Sequence, residues 1–163
     1  MTSEKTLMQA TDFLSALQSL EHWMMVIVTM VICGLAVVLH HEVLERLNSW
    51  LPRSKEHNRA RVLISIFIML GAHVAEVWLF ALGIFLCSFN PELGQVAGID
   101  GLGLFDAVYL SAATFTTVGY GDISPLGPLR FMMGCESLTG FVLITWSASF
   151  TYLEMQRYWK PRK

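Results

Sequence analysis

An all-α membrane protein is the fold class this sequence predicts, on three observations. Three segments are apolar for long enough to cross a bilayer, a fourth of helical composition is too short to do so, and the basic residues are confined to a few stretches. Of the 163 residues, 54% are hydrophobic and only 15% charged, for a net charge of −2 and a mean hydropathy of +0.52. So apolar a chain leaves no room for a large soluble domain, and its partners are expected to be the lipid bilayer and copies of itself, with no nucleic acid.

Residues 1–21 place Leu7, Phe13, Leu14, Leu17 and Leu20 at approximately helical spacing, which predicts an amphipathic helix lying on the outer surface or capping the unit that follows. Residues 22–44 form the first span, since roughly 30 Å of hydrocarbon takes about 20 helical residues to cross. Its apolar core from Trp23 to Leu39 contains one polar residue, Thr29, and lacks the basic lead and small-residue cleavage site of a signal peptide. Residues 45–61 form a basic loop carrying Arg46, Arg53, Lys55, Arg59 and Arg61. Residues 62–155 are one unit: a second span at 62–88, an exposed glycine-bearing loop at 89–103, a short helix at 104–116, a glycine-bearing segment at 117–121 and a third span at 130–152. Residues 156–163 are a short basic tail.

Lysine and arginine near membrane ends stay on the cytoplasmic side. Between Val62 and Leu129 there is neither, while Glu92, Asp100, Asp106 and Asp122 occur there. That stretch and the N-terminus are therefore expected outside, and the basic loop and C-terminus in the cytoplasm. The short helix, with Asp106 favourably placed in its first turn, is about 18 Å long. It enters from outside and stops halfway, its negative end aimed at the membrane centre.

The chemistry lies in the segment directly after the short helix, Thr116-Thr117-Val118-Gly119-Tyr120-Gly121-Asp122. Backbone carbonyls of Thr117, Val118, Gly119 and Tyr120, with the Thr117 hydroxyl below them, can offer successive oxygen rings to a dehydrated cation. Aiming consecutive carbonyls at one axis demands unusual backbone angles, which Gly119 and Gly121 reach without a Cβ penalty. A plain strand entering a turn is the other reading of T-V-G-Y-G. The short helix before it and the span after it weigh against that. The segment resembles the selectivity filter of the pore-loop potassium channels, and residues 62–155 resemble the outer helix, turret, pore helix, filter and inner helix of that family's bacterial two-helix pore domain. One further membrane helix precedes the unit here.

The resemblance implies a homotetramer, because one filter per chain must be completed by neighbours. It implies K⁺ held at Thr117, Val118, Gly119 and Tyr120, with Gly121 closing the filter and Thr116 and Asp122 supporting it. It also implies passive K⁺ transport in a prokaryotic cell membrane, with no cofactor beyond the permeant ion. Pro125 comes after the filter, Arg130 opens the inner helix, and Gly140 falls where that family has a hinge glycine; close helix packing is the other reading of Gly140. Ala113 stands where some members carry a carboxylate behind the filter, and no arginine ladder of a voltage sensor is present. A weakly selective cation channel and a non-conducting subunit that modifies another channel are the alternatives to a potassium channel. A membrane di-iron enzyme would need repeated Glu-x-x-His pairs, and nothing repeats.

Ionisable residues inside a membrane are costly and mark functional positions. His73 and Glu76, three apart on one helical face, are expected to meet each other or a partner on the first span, with Thr29 the partner considered. A pH sensor and a polar clamp are the two readings. Glu136 is expected behind the short helix near Ser111 or Thr114, as a hydrogen-bonding group or as a protonated packing residue. His40, His41 and Glu42 close the first span and are assigned to the membrane edge rather than to a metal cluster with His73 and Glu76. The odd count of Cys33, Cys87 and Cys135 argues against a disulfide framework.

Overall fold

The computed structural model describes residues 19–50 and 58–158. Four helices dominate: α1 (Leu20–Trp50), α2 (Asn58–Ser88), α3 (Leu104–Phe115) and α4 (Leu129–Tyr158). Three of them are long and apolar enough to cross a membrane, which makes this a multi-pass membrane protein. Apart from Ser19–Glu21, the expected surface helix of residues 1–21 lies outside the described residues, as do residues 51–57 of the basic loop and 159–163 of the tail.

The long helices overrun the expected spans. At 31 residues, α1 is about 46 Å long, well beyond the hydrocarbon thickness. Residues 45–50, expected in a loop, continue it because Leu44 and Leu47 bury against Met69 and Phe150 while Arg46 pairs with Glu42 at 3.1 Å on the exposed side. At the other end of the loop α2 begins at Asn58, four residues before the expected span. There Arg61 reaches Glu154 of α4 in a buried ion pair of 2.9 Å.

Each long helix buries one narrow stripe at spacings of three and four. On α1 it is Met25, Thr29, Ile32, Ala36, His40, Leu44 and Leu47; on α2, Arg61, Ser65, Met69, Ala72, Glu76, Phe80, Ile84 and Cys87. On α4 it runs from Leu129 through Met132, Glu136, Gly140 and Leu143 to Ser147 and Glu154. The cross-contacts fix the directions, because Ile32 meets Gly83 and His40 meets Glu76, so α1 and α2 are antiparallel. Helix α4 runs alongside α1 and against α2, as Thr139 beside Cys33 and Glu154 beside Arg61 require.

The loop after α2, expected as an irregular turret, contains regular structure. Strand β1 (Gln95–Ala97) pairs antiparallel with β2 (Ser124–Leu126), with Val96 opposite Pro125. Gly98 must be glycine here: its φ is +95°, and a Cβ would stand 2.2 Å from the Asp122 carbonyl oxygen. This small ladder straps the chain before α3 to the chain after it.

The C-terminal end of α3 rests on the middle of α4. At Gly140 a Cβ would lie 2.1 Å from the Phe115 carbonyl oxygen and 2.9 Å from Phe115 Cγ, and α4 stays helical through this point. Close packing is therefore the role that Gly140 has in this conformation. Gly140→Ala is expected to destabilise the protein by about 1–3 kcal/mol through overpacking. Gly71→Ala, where a Cβ meets nothing within 4 Å, is expected to be neutral or to stabilise by up to about 1 kcal/mol. Thermal unfolding of both variants in detergent measures the difference.

Candidate functional site

Helix α3 is built to present the segment after it. Asp106 in its first turn accepts a hydrogen bond from the Gly103 N–H at 3.0 Å, satisfying one of the free donors at the start. Its apolar face, Ala107, Leu110, Ala113 and Phe115, is buried against α2 and α4. At its end the chain leaves the helix in a controlled way. The Thr116 N–H donates to the Ala112 carbonyl at 3.1 Å and its hydroxyl to the same oxygen at 2.7 Å. The Thr117 N–H donates to Thr114 O at 2.9 Å, and the Gly119 N–H reaches back to Ala113 O at 3.0 Å. Ser137 of α4 donates to the Thr114 carbonyl at 3.3 Å.

Beyond this anchor the backbone alternates in hand. Thr117, Gly119 and Gly121 have φ of 60°, 53° and 80°, while Val118 and Tyr120 between them do not have positive φ. In an ordinary strand carbonyls point alternately to opposite sides; successive residues of opposite hand turn them toward the same side. Thr117 is the one non-glycine residue with positive φ among the described residues, at a cost of about 1–2 kcal/mol. Sequence reasoning marked the two glycines and missed this threonine, because propensity gives no sign that a β-branched residue will be held in a left-handed conformation.

The far end of the segment is tied back. The Tyr109 hydroxyl donates to Asp122 Oδ2 at 2.8 Å, and the rings of Tyr109 and Tyr120 stack at 6.0 Å and 7°. The Asp122 carboxylate, by accepting that hydrogen bond, holds the Tyr109 phenol above its ordinary pKa. Arg130 Nε donates to the Pro125 carbonyl at 3.1 Å, bracing the turn into α4. Residues 116–122 are exposed on the single chain, Val118 and Tyr120 by 54% and 71%. An open cleft of about 400 Å³ lies between them, α3 and the start of α4.

Two polar clusters sit behind this segment. In the first, Ser111 Oγ lies 2.9 Å from the Val77 carbonyl of α2 and in contact with Glu136 Oε1 of α4. Of the partners expected for Glu136, Ser111 is the one the structure brings to it. One hydroxyl proton faces two acceptors, so a proton on the Glu136 carboxyl completes the count. In the second cluster Glu76 does meet His73, Oε2 to Nδ1 at 2.8 Å, but its partner on the first helix is His40, Oε1 to Nδ1 at 2.9 Å. Thr29 lies eleven residues away along the same stripe, and its buried hydroxyl has no hydrogen-bond partner among the described residues. Ser147 Oγ faces both imidazoles from the other side, 3.4 Å from His40 Nε2 and 3.1 Å from His73 Nε2.

His40 is thus 1% exposed in the bundle interior rather than at the membrane edge, while His41 is exposed beside Glu45. The buried stripe of α1 was the missed signal, since His40 lies on it at helical spacing from Thr29 and Ala36. The cysteines Cys33, Cys87 and Cys135 are free.

Three membrane-length helices, two of which seat a short helix that ends in a turn of alternating backbone hand, define an all-helical membrane protein. The chain belongs to the ion channel family whose profile matches residues 72–156, just over half of its length. It is similar to Protein LctB of Geobacillus stearothermophilus, 38% identical over 55 residues that cover 34% of this chain and 41% of that protein. Protein LctB of Bacillus caldotenax is 42% identical over 56 residues, with the same coverage of each. The inward rectifier potassium channel Kirbac3.1 of Paramagnetospirillum magnetotacticum is 32% identical over 104 residues, 62% of this chain and 34% of that one. The chain spans about two fifths or less of the length of these curated relatives. No solved structure matches it significantly.

Replacing Glu136 tests the first cluster. Glu136→Gln keeps a donor for Ser111 and is expected to change stability by less than about 1 kcal/mol; Glu136→Ala leaves a cavity and is expected to cost about 2–4 kcal/mol. Thermal unfolding separates the two variants. An infrared band of a protonated carboxyl group, present in the native protein and missing from Glu136→Gln, checks the proton count.

Proposed function

We propose that this chain is the subunit of a homotetrameric, potassium-selective channel that conducts K⁺ passively through a filter formed by Thr117–Gly121. The observation that carries the reading is the alternation in hand at Thr117, Gly119 and Gly121 within the T-T-V-G-Y-G-D sequence, which turns consecutive carbonyls to one side. In this reading K⁺ exchanges its water shell for the carbonyls of Thr117, Val118, Gly119 and Tyr120 and the Thr117 hydroxyl. Asp122 with Tyr109, and Thr116 with Ala112, keep the segment from collapsing when no ion holds it open.

The tetramer is supported by the surfaces that the single chain leaves uncovered. Irregular backbone at membrane depth is tolerated only inside protein or beside water. Val118, Tyr120 and the cleft behind them are open on one subunit, so a neighbouring copy covers them and the carbonyls face a shared axis. Residues 62–155 form the pore domain, with α2 outermost and α4 lining the inner pathway. Gly140 serves as packing contact here and as a hinge if α4 bends in an open state. The N-terminus and the loop before α3 lie outside and the C-terminus in the cytoplasm, as the basic residues direct. A relative named as a potassium channel supports the choice of ion.

Purified protein in liposomes tests this directly. K⁺ flux down a gradient is expected to exceed Na⁺ flux, and Gly119→Ala to lower it by at least about tenfold, since alanine in the left-handed region costs about 1–2 kcal/mol in every subunit. Equal K⁺ and Na⁺ flux would replace selectivity with a looser cation pathway. Flux that is unchanged by Gly119→Ala would remove residues 117–121 from the conduction path.

A further inference from the structure

The cluster around Glu76 is short of one positive charge. His40, His73 and Glu76 bring three ligating atoms within 4.8 Å of one another inside the helical bundle. When both imidazoles donate from Nδ1 to the Glu76 carboxylate, both Nε2 atoms are bare acceptors, and the only group facing them among the described residues is the Ser147 hydroxyl with its single proton. One Nε2 then lacks a donor, and a fully buried carboxylate keeps an uncompensated charge. Neither is tolerated well in an apolar interior.

A metal ion on the Nδ1 side cures the donor shortage and replaces the bare negative charge by a residual positive one. The imidazoles coordinate through Nδ1 and Glu76 through its carboxylate, so each Nε2 carries a proton and Ser147 Oγ, with two lone pairs, accepts from both. Outer hydrogen bonds of this kind are what fix the orientation of metal-bound histidines. The two Nδ1 atoms stand 2.9 Å and 2.8 Å from the Glu76 oxygens, near the separation of neighbouring ligand atoms on one small ion.

We propose that His40, His73 and Glu76 bind one transition-metal ion of the Zn²⁺ type, with the second carboxylate oxygen or a water in the fourth position. Imidazole with carboxylate is a ligand set that zinc accepts. The surroundings suit the residual positive charge. From α3 the neighbour is its carbonyl end, with Phe115 5.9 Å from the His73 ring and a partial negative charge of about half an electron. From α1 the nearby ionisable group is His41, exposed beside Glu45; on α4 Glu136 is occupied by Ser111, and Glu154 pairs with Arg61 of α2. No lysine or arginine faces the cluster among these groups.

The ion would bridge α1 to the pore unit, so its binding energy becomes docking energy for the first helix. The test uses the untagged full-length protein in detergent, loaded with Zn²⁺, desalted and assayed by elemental analysis, and in parallel titrated with Co²⁺. About one zinc per chain and the visible absorption of four-coordinate cobalt are expected, with chelation lowering the unfolding temperature. His40→Gln and Glu76→Gln are expected to lose the ion, Ser147→Ala to bind it about 10–100-fold more weakly, and His41→Ala to bind it fully. Less than about a tenth of an equivalent under excess Zn²⁺, or undiminished loading of a His40→Gln/Glu76→Gln double variant, overturns the site. If the variants fail to assemble, the cobalt spectrum of the native protein decides alone. A metal-free native protein with an imidazolium signal in its ¹⁵N spectrum assigns the missing charge to a proton and overturns the proposal as well. Ion flux is a separate readout, so failure here leaves the channel reading untouched.

Discussion

At Gly140 the backbone of α4 comes so near the last carbonyl of α3 that a single added methyl group would stand 2.1 Å from it. A 12-residue helix cannot cross a bilayer, and one that stops partway must have its free carbonyl end held by protein. Everything beyond Phe115 depends on that seat. The Thr114 carbonyl is held by Ser137 and the Thr117 amide, the Ala113 carbonyl by Gly119, and the alternating backbone starts from these fixed points.

The same constraint explains where the polar residues of the interior lie. Apolar contact gives little preference for one helix over lipid, because lipid tails are as apolar as leucine. The register of α1, α2 and α4 around α3 is therefore marked by groups that lipid cannot satisfy. Ser111 joins α3 to α2 and α4 near the middle of the short helix. His40, His73, Glu76 and Ser147 join all three long helices just beyond the Phe115 ring, and Arg61 with Glu154 closes the far end. These three polar levels along one bundle fix sliding and rotation together.

Much of this was legible because the bilayer imposes lengths. A run from Trp23 to Leu39 with one polar residue is long enough to cross, and the short helix was recognisable from Asp106 and its 12 residues. The boundaries were less legible. Leu44 and Leu47 extend α1 only because Met69 and Phe150 stand opposite, and residues 95–97 form a strand only because residues 124–126 return beside them. His40 was misplaced for a related reason: its distance along the chain from Glu76 is 36 residues, and local hydropathy puts it at a helix end.

From the sequence alone came the three membrane helices found among the described residues, the short helix between the second and third, and the two glycines that adopt positive φ after it, since hydrophobic length and glycine freedom are local properties. The tertiary structure decided which buried groups meet: His40 rather than Thr29 with Glu76, Ser111 rather than Thr114 with Glu136, Gly140 against Phe115. Those pairings depend on the rotation and offset of one helix against another. A stripe of three- and four-residue spacing leaves both undetermined until its partner stripe is in place.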